Sequence, residues 1–100
     1  MTQSPKISNS RIVMYTQALC GYCAAAKRLL DAKGATYDTV DVTMDAERRR
    51  EMMERSGRRT VPQIFIGDRH IGGYDDMVEI DKSGELDALL DPEGSRAGKD

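Results

Sequence analysis

The chain is 100 residues long, enough for one small domain with a modest core. Hydrophobic residues make up 39% and charged ones 32%, and 15 basic side chains against 17 acidic leave a net charge of −2. That balance gives no field to recruit nucleic acid or a membrane surface, and no apolar run approaches the ~20 residues a spanning helix needs.

Residues 1–10 are polar, with Pro5, Ser8, Asn9 and Ser10, and read as a frayed tail. Lys6 stands alone and no apolar block follows it, so the segment lacks the pattern of a secretory signal and the expected compartment is the cytoplasm. In that reducing setting a Cys-x-x-Cys pair is more often catalytic than structural.

Ile12-Val13-Met14-Tyr15 fits a short buried strand. The only two cysteines follow it, in Cys20-Gly21-Tyr22-Cys23. From Tyr22 to Lys33 the composition is helical, and Gly34 stands where a left-handed cap ends a helix. Cys20 therefore falls at the amino end of a helix, where unpaired N–H groups and the helix dipole favour an anion. A thiolate is the species that attacks disulfides, so Cys20 is the candidate nucleophile. Cys23 lies one turn further in among alanines, is expected to be buried, and suits a resolving thiol. Two small core residues are the plain alternative; a zinc site is poorly supplied by two cysteines and His70 alone.

A second strand is expected over Thr36–Val42 and a second helix over Ala46–Ser56, capped by Asp45 or Thr43 and stopped by Gly57. That helix carries Arg48, Arg49 and Arg50, followed by Arg55, Arg58 and Arg59. Pairing at helical spacing, Glu51 with Arg55 and Glu54 with Arg58, makes most of them a solvated face. Arg49 differs, because it shares the Ala46–Met53 stripe that faces the domain. Met44, Met52, Met53 and Met77 read as core filler.

Thr60-Val61-Pro62-Gln63-Ile64-Phe65-Ile66 reads as a third strand entered through a proline, Gly67-Asp68 as a hairpin turn, and Arg69-His70-Ile71 as a fourth strand. A cis Val61–Pro62 bond would turn the Val61 N–H and C=O outward toward an extended, peptide-like ligand; an edge proline explains the pattern equally well. Gly72-Gly73-Tyr74-Asp75-Asp76 permits close backbone approach, with Asp75 placed to cap a helix over Asp75–Lys82. The N–H groups there would suit a carboxylate, though a plain turn is as simple. His70 reads as a surface strand residue. Glu85–Leu90 continues the helical pattern after Gly84, and residues 91–100 read as a second frayed tail.

The order β-α-β-α-β-β-α predicts an α/β fold with a four-stranded mixed sheet and helices on both faces. Its first two strands should be parallel and its last two a hairpin. Cys20 sits at the carboxyl end of the first strand, a usual place for a site.

Over residues 11–90 the chain resembles the dithiol glutaredoxins, especially the small bacterial type. The resemblance rests on Tyr15-Thr16, the Cys20–Cys23 motif, Ser56-Gly57, Thr60 to Ile66, and Ile71-Gly72-Gly73 with Asp75-Asp76. It implies a thioredoxin-like fold and a glutathione-dependent thiol–disulfide oxidoreductase, with Cys20 as nucleophile and Cys23 as resolving thiol. Pro62 resembles the family's cis-proline. Tyr22, Thr60 and Val61 fall on its glutathione contacts, and Gly73, Tyr74, Asp75 and Asp76 on the segment that holds the γ-glutamyl end. Arg49 and Gln17 fall where the glycine carboxylate is bound, with Gln17 replacing a common lysine. Glycine at position 21, where proline is commonest, opens an alternative: a [2Fe–2S] cluster held by Cys20 of two chains and two glutathione thiols. The resemblance thus implies no resident cofactor and a monomer, or a homodimer if a cluster forms. The partners it implies are glutathione and glutathionylated or disulfide-bonded proteins.

Overall fold

The computed structural model describes residues 12–90, so the tails expected at 1–10 and 91–100 lie outside the described residues. These form strands β1 (Ile12–Thr16), β2 (Asp38–Asp41), β3 (Gln63–Ile66) and β4 (Arg69–Gly72), and helices α1 (Gly21–Ala32), α2 (Ala46–Ser56), α3 (Tyr74–Lys82) and α4 (Glu85–Leu90). The sheet runs β2-β1-β3-β4. β1 and β2 are parallel; β3 is antiparallel to both β1 and β4, with an irregularity between Ile64 and Phe65.

Alternation along β1 and β3 decides which helix covers which face. Ile12, Met14 and Ile64 point to one side and pack with Ala26 and Leu30 of α1, Met77 of α3, and Leu86 and Leu90 of α4. Tyr15 and Phe65 point to the other and pack with Val42 and with Met52 of α2. The expected mixed sheet with helices on both faces is what forms. A small domain with two thin core layers depends on each fully buried side chain, and truncating Met52 or Met77 to Ala removes roughly 2–5 kcal/mol.

Local signals set the helix ends. Asp45 caps α2 by accepting from the Arg48 N–H at 3.0 Å, and Gly57 ends it with φ 73°. Several expectations need correction. β2 and β3 are shorter than Thr36–Val42 and Thr60–Ile66, because alternation and β-branching do not reveal where ladder pairing stops. Met44 is 93% exposed instead of core filler, since it follows β2 in a polar turn. Helix α3 begins at Tyr74 with Gly73 as its N-cap, and Asp76 supplies the capping carboxylate expected from Asp75.

Candidate active site

Strand β1 delivers the chain to a four-residue loop whose last member, Cys20, is the N-cap of α1 in an extended conformation. The loop is braced from the β2 side, where the Ala18 N–H donates to Thr43 Oγ1 at 2.8 Å. Cys20 Sγ accepts a hydrogen bond from the Cys23 N–H at 3.1 Å. The nucleophilic atom expected from sequence thus occupies the position a capping oxygen usually takes, among the free N–H groups that stabilise an anion. Both cysteines are free thiols; Cys20 is half-buried, whereas Cys23 is only 2% exposed. Burial, then the hydrogen bond with Cys20, pushes the Cys23 thiol above its ordinary pKa. One sulfur caps the helix at its amino end, and the other is buried one turn further in.

A groove of about 340 Å³ opens beside the first turn of α1. One wall is Thr60, Val61 and Pro62, with the Val61–Pro62 bond cis; the opposite wall is Gly73 to Asp76, and Tyr22 joins from α1. The rings of Tyr22 and Tyr74 lie 6.2 Å apart. Asp76 Oδ2 accepts from the Gly73 N–H at 2.9 Å and from the Arg58 guanidinium at 2.8 Å. The Arg58 hydrogen bond, followed by that from Gly73, holds the Asp76 carboxyl below the usual carboxylate range. Gly72 has φ 115°, and a Cβ there would collide with the Asp76 carboxylate, so glycine at this position is what lets this wall close.

The structure brings Tyr22, Thr60, Val61, Pro62, Gly73, Tyr74, Asp75 and Asp76 into one groove. Gln17 and Arg49 do not line it. They meet each other instead, the Arg49 guanidinium donating to Gln17 Oε1 at 2.5 Å. Arg49 is partly buried, as its place on the helix stripe implied.

Arg58 was missed as a groove residue. It lies beyond α2, and its ion pair spans 18 residues to Asp76 instead of four to Glu54. The available signal was a cation just ahead of Thr60-Val61-Pro62. Arg55 likewise leaves Glu51: it stacks over Phe65 at 4.1 Å and donates to the Tyr15 hydroxyl, while Glu51 pairs with Arg48.

The Glutaredoxin family model matches residues 12–71. The chain belongs to the glutaredoxin family. Glutaredoxin 3 of Escherichia coli (strain K12) is 47% identical over 81 residues, covering 81% of this chain and 98% of its own. Among solved structures, the buckwheat glutaredoxin–glutathione complex superposes with a TM-score of 0.74 at 35% identity, covering 85% of this chain and 81% of its own. The holo form of glutaredoxin C1 from Populus tremula x tremuloides superposes at 0.72 and 36% identity, covering 85% and 88%. The fold is therefore thioredoxin-like, and this glutaredoxin is a thiol–disulfide oxidoreductase. No helix among the described residues is long and apolar enough to cross a membrane.

Proposed function

We propose that this glutaredoxin takes its electrons from glutathione and acts on glutathionylated and disulfide-bonded proteins in the cytoplasm. The observation that carries the reading is the groove beside α1, whose two walls suit an extended tripeptide. The Val61 backbone pairs with the cysteinyl unit of glutathione and sets its sulfur toward Cys20. The γ-glutamyl ammonium meets Asp76, and its carboxylate meets the free N–H groups at the start of α3. Tyr22 packs against the bound peptide. Arg49 and Gln17 lie outside the groove's lining, so on this reading the glycine end of the peptide leaves the groove to reach them; with Gln17 Oε1 occupied by Arg49, its amide nitrogen is left to donate.

The Cys20 thiolate attacks the glutathione sulfur of a mixed disulfide. The S–S bond breaks, the protein thiolate departs and takes a proton, and Cys20 is left joined to glutathione. A second glutathione thiolate attacks that sulfur, releases glutathione disulfide and restores the Cys20 thiolate. With a protein disulfide, Cys23 instead loses its proton and attacks the Cys20 sulfur, releasing the reduced protein. The resulting Cys20–Cys23 disulfide consumes two glutathione molecules. Alignment of three sulfurs is the main physical contribution, and no resident cofactor is required.

The reading is tested with one peptide carrying either glutathione or cysteamine in mixed disulfide. Turnover of the glutathionylated form should exceed that of the other by at least about tenfold, the effect of one or two good polar contacts. Equal turnover contradicts a glutathione groove.

A second reading is favoured by Gly21, where a Cβ would meet no atom within 4 Å. An open first turn beside a half-buried Cys20 leaves access for a second chain. One chain fits a cluster only in part. The described residues contain no group of three or more potential metal ligands, and Cys23 is buried behind Cys20. A [2Fe–2S] centre would therefore need Cys20 from two chains and two glutathione thiols to complete four sulfurs. Anaerobic purification followed by an absorption spectrum decides it: a coloured dimer supports the cluster, and a colourless monomer with full reductase activity excludes it.

A further inference from the structure

Gln63 opens β3 with a side chain that is completely buried, an unusual place for a neutral amide in so small a core. Its burial is matched by three polar contacts. The amide nitrogen donates to the Thr60 carbonyl oxygen at 3.0 Å and approaches Thr60 Oγ1 at 3.2 Å. Its Oε1 lies 2.8 Å from His70 Nε2.

The chemistry fixes the direction of this chain. A carbonyl oxygen only accepts, so the end of the amide facing Thr60 must be the NH₂ group. The amide oxygen then faces His70, which must present Nε2–H. The His70 ring is held in turn by packing on Phe65, 4.9 Å between centroids and tilted by 32°. His70 is thus half-buried and bonded, more than the surface strand residue expected from sequence.

We infer that Gln63, oriented by His70, is the positioning residue that holds the Thr60-Val61-Pro62 wall of the groove from inside the sheet. Thr60 has its carbonyl and hydroxyl tied to β3, and the backbone of Val61 follows directly. The link to substrate rests on the glutathione reading above; the link to the wall does not.

Two variants test it. Gln63→Leu keeps the approximate volume and removes all three contacts. His70→Phe keeps the ring on Phe65 and frees the amide to turn. In Gln63→Leu the backbone order parameter of Val61 should fall from the rigid range near ~0.85 toward ~0.6. The KM for a glutathionylated peptide should rise about tenfold, as for loss of a buried hydrogen bond. Alkylation of Cys20 by iodoacetamide, which does not use the groove, should keep its wild-type rate. His70→Phe should give a smaller change of the same kind, and adding it to Gln63→Leu should change nothing further, because both act through one amide.

A folded Gln63→Leu protein with wild-type Val61 order overturns the inference. If that variant does not fold, His70→Phe decides alone, and unchanged Val61 order in it overturns the inference equally. A loosened Val61 with an unchanged KM supports the wall and contradicts the glutathione reading, so the two failures are told apart.

Discussion

The sulfur of Cys20 caps the helix that contains Cys23, accepting its backbone N–H at 3.1 Å. The proposed nucleophile is therefore also the helix cap. Ser is among the best N-cap residues and Ala among the poorest. Cys20→Ser is accordingly expected to unfold within about 0.5 kcal/mol of wild type, and Cys20→Ala to lose about 0.5–2 kcal/mol. Urea denaturation of the reduced proteins checks this. Equal stability of the two variants would mean that the sulfur caps nothing.

The opposite wall of the site is sensitive to acid. The Asp76 carboxyl is lowered from 3.8, chiefly by Arg58 and then by the Gly73 N–H. A depressed carboxyl contributes binding and stability above its ordinary value and loses both as pH falls through the lower folded value. Arg58→Ala removes the largest cause, so the acid limb of the KM profile for a glutathionylated peptide should move up toward the ordinary carboxylate range. An unmoved limb would show that Arg58 does not act on Asp76.

Alkali acts through the buried thiol. Burial raises Cys23 above 9.0, and burial followed by the Glu51 hydrogen bond raises Tyr15 above 10.0. For an acid whose folded pKa is raised, stability is complete below the unfolded value and is lost as pH rises through the folded one. Unfolding free energy should thus decline above about pH 9, and Cys23→Ser should remove the earlier part of the decline. A flat profile in wild type contradicts the burial argument.

Leu19, immediately before Cys20, has φ 56° and a fully exposed side chain. A left-handed backbone costs a residue with a Cβ about 1–2 kcal/mol, and no packing offsets it here. Leu19→Gly should therefore raise the unfolding free energy by up to ~1 kcal/mol, after the extra freedom of glycine in the unfolded chain is set against relief of strain. Thermal unfolding checks the sign; a lower midpoint would mean that Leu19 is not strained.

Much of this architecture was legible because local signals and tertiary packing agree. Asp45 and Gly57 bound α2 as written in the chain, and the Cys20–Cys23 spacing places one sulfur at a helix end and the other in the core. What was not legible depends on contacts between distant segments. Arg58 has an acidic residue four positions away, yet it reaches Asp76 across the groove because α2 ends at Ser56. The burial of Gln63 depends on acceptors and donors on Thr60 and His70, which no periodicity reveals. Asp75 and Asp76 are adjacent carboxylates, and only the turn at Gly72 and Gly73 decides that the second caps α3. Met44 has the composition of a core residue but sits in a loop with no layer above it.

The division of labour between the two sulfurs is the central claim, and comparison of Cys20→Ser with Cys23→Ser tests it most directly. The measurement is the rate at which each variant removes glutathione from a glutathionylated peptide with glutathione as reductant. Cys20→Ser should lose this activity entirely while staying folded, and Cys23→Ser should retain it and lose only the reduction of protein disulfides. Activity surviving in Cys20→Ser and vanishing in Cys23→Ser would reverse the roles assigned to the two thiols.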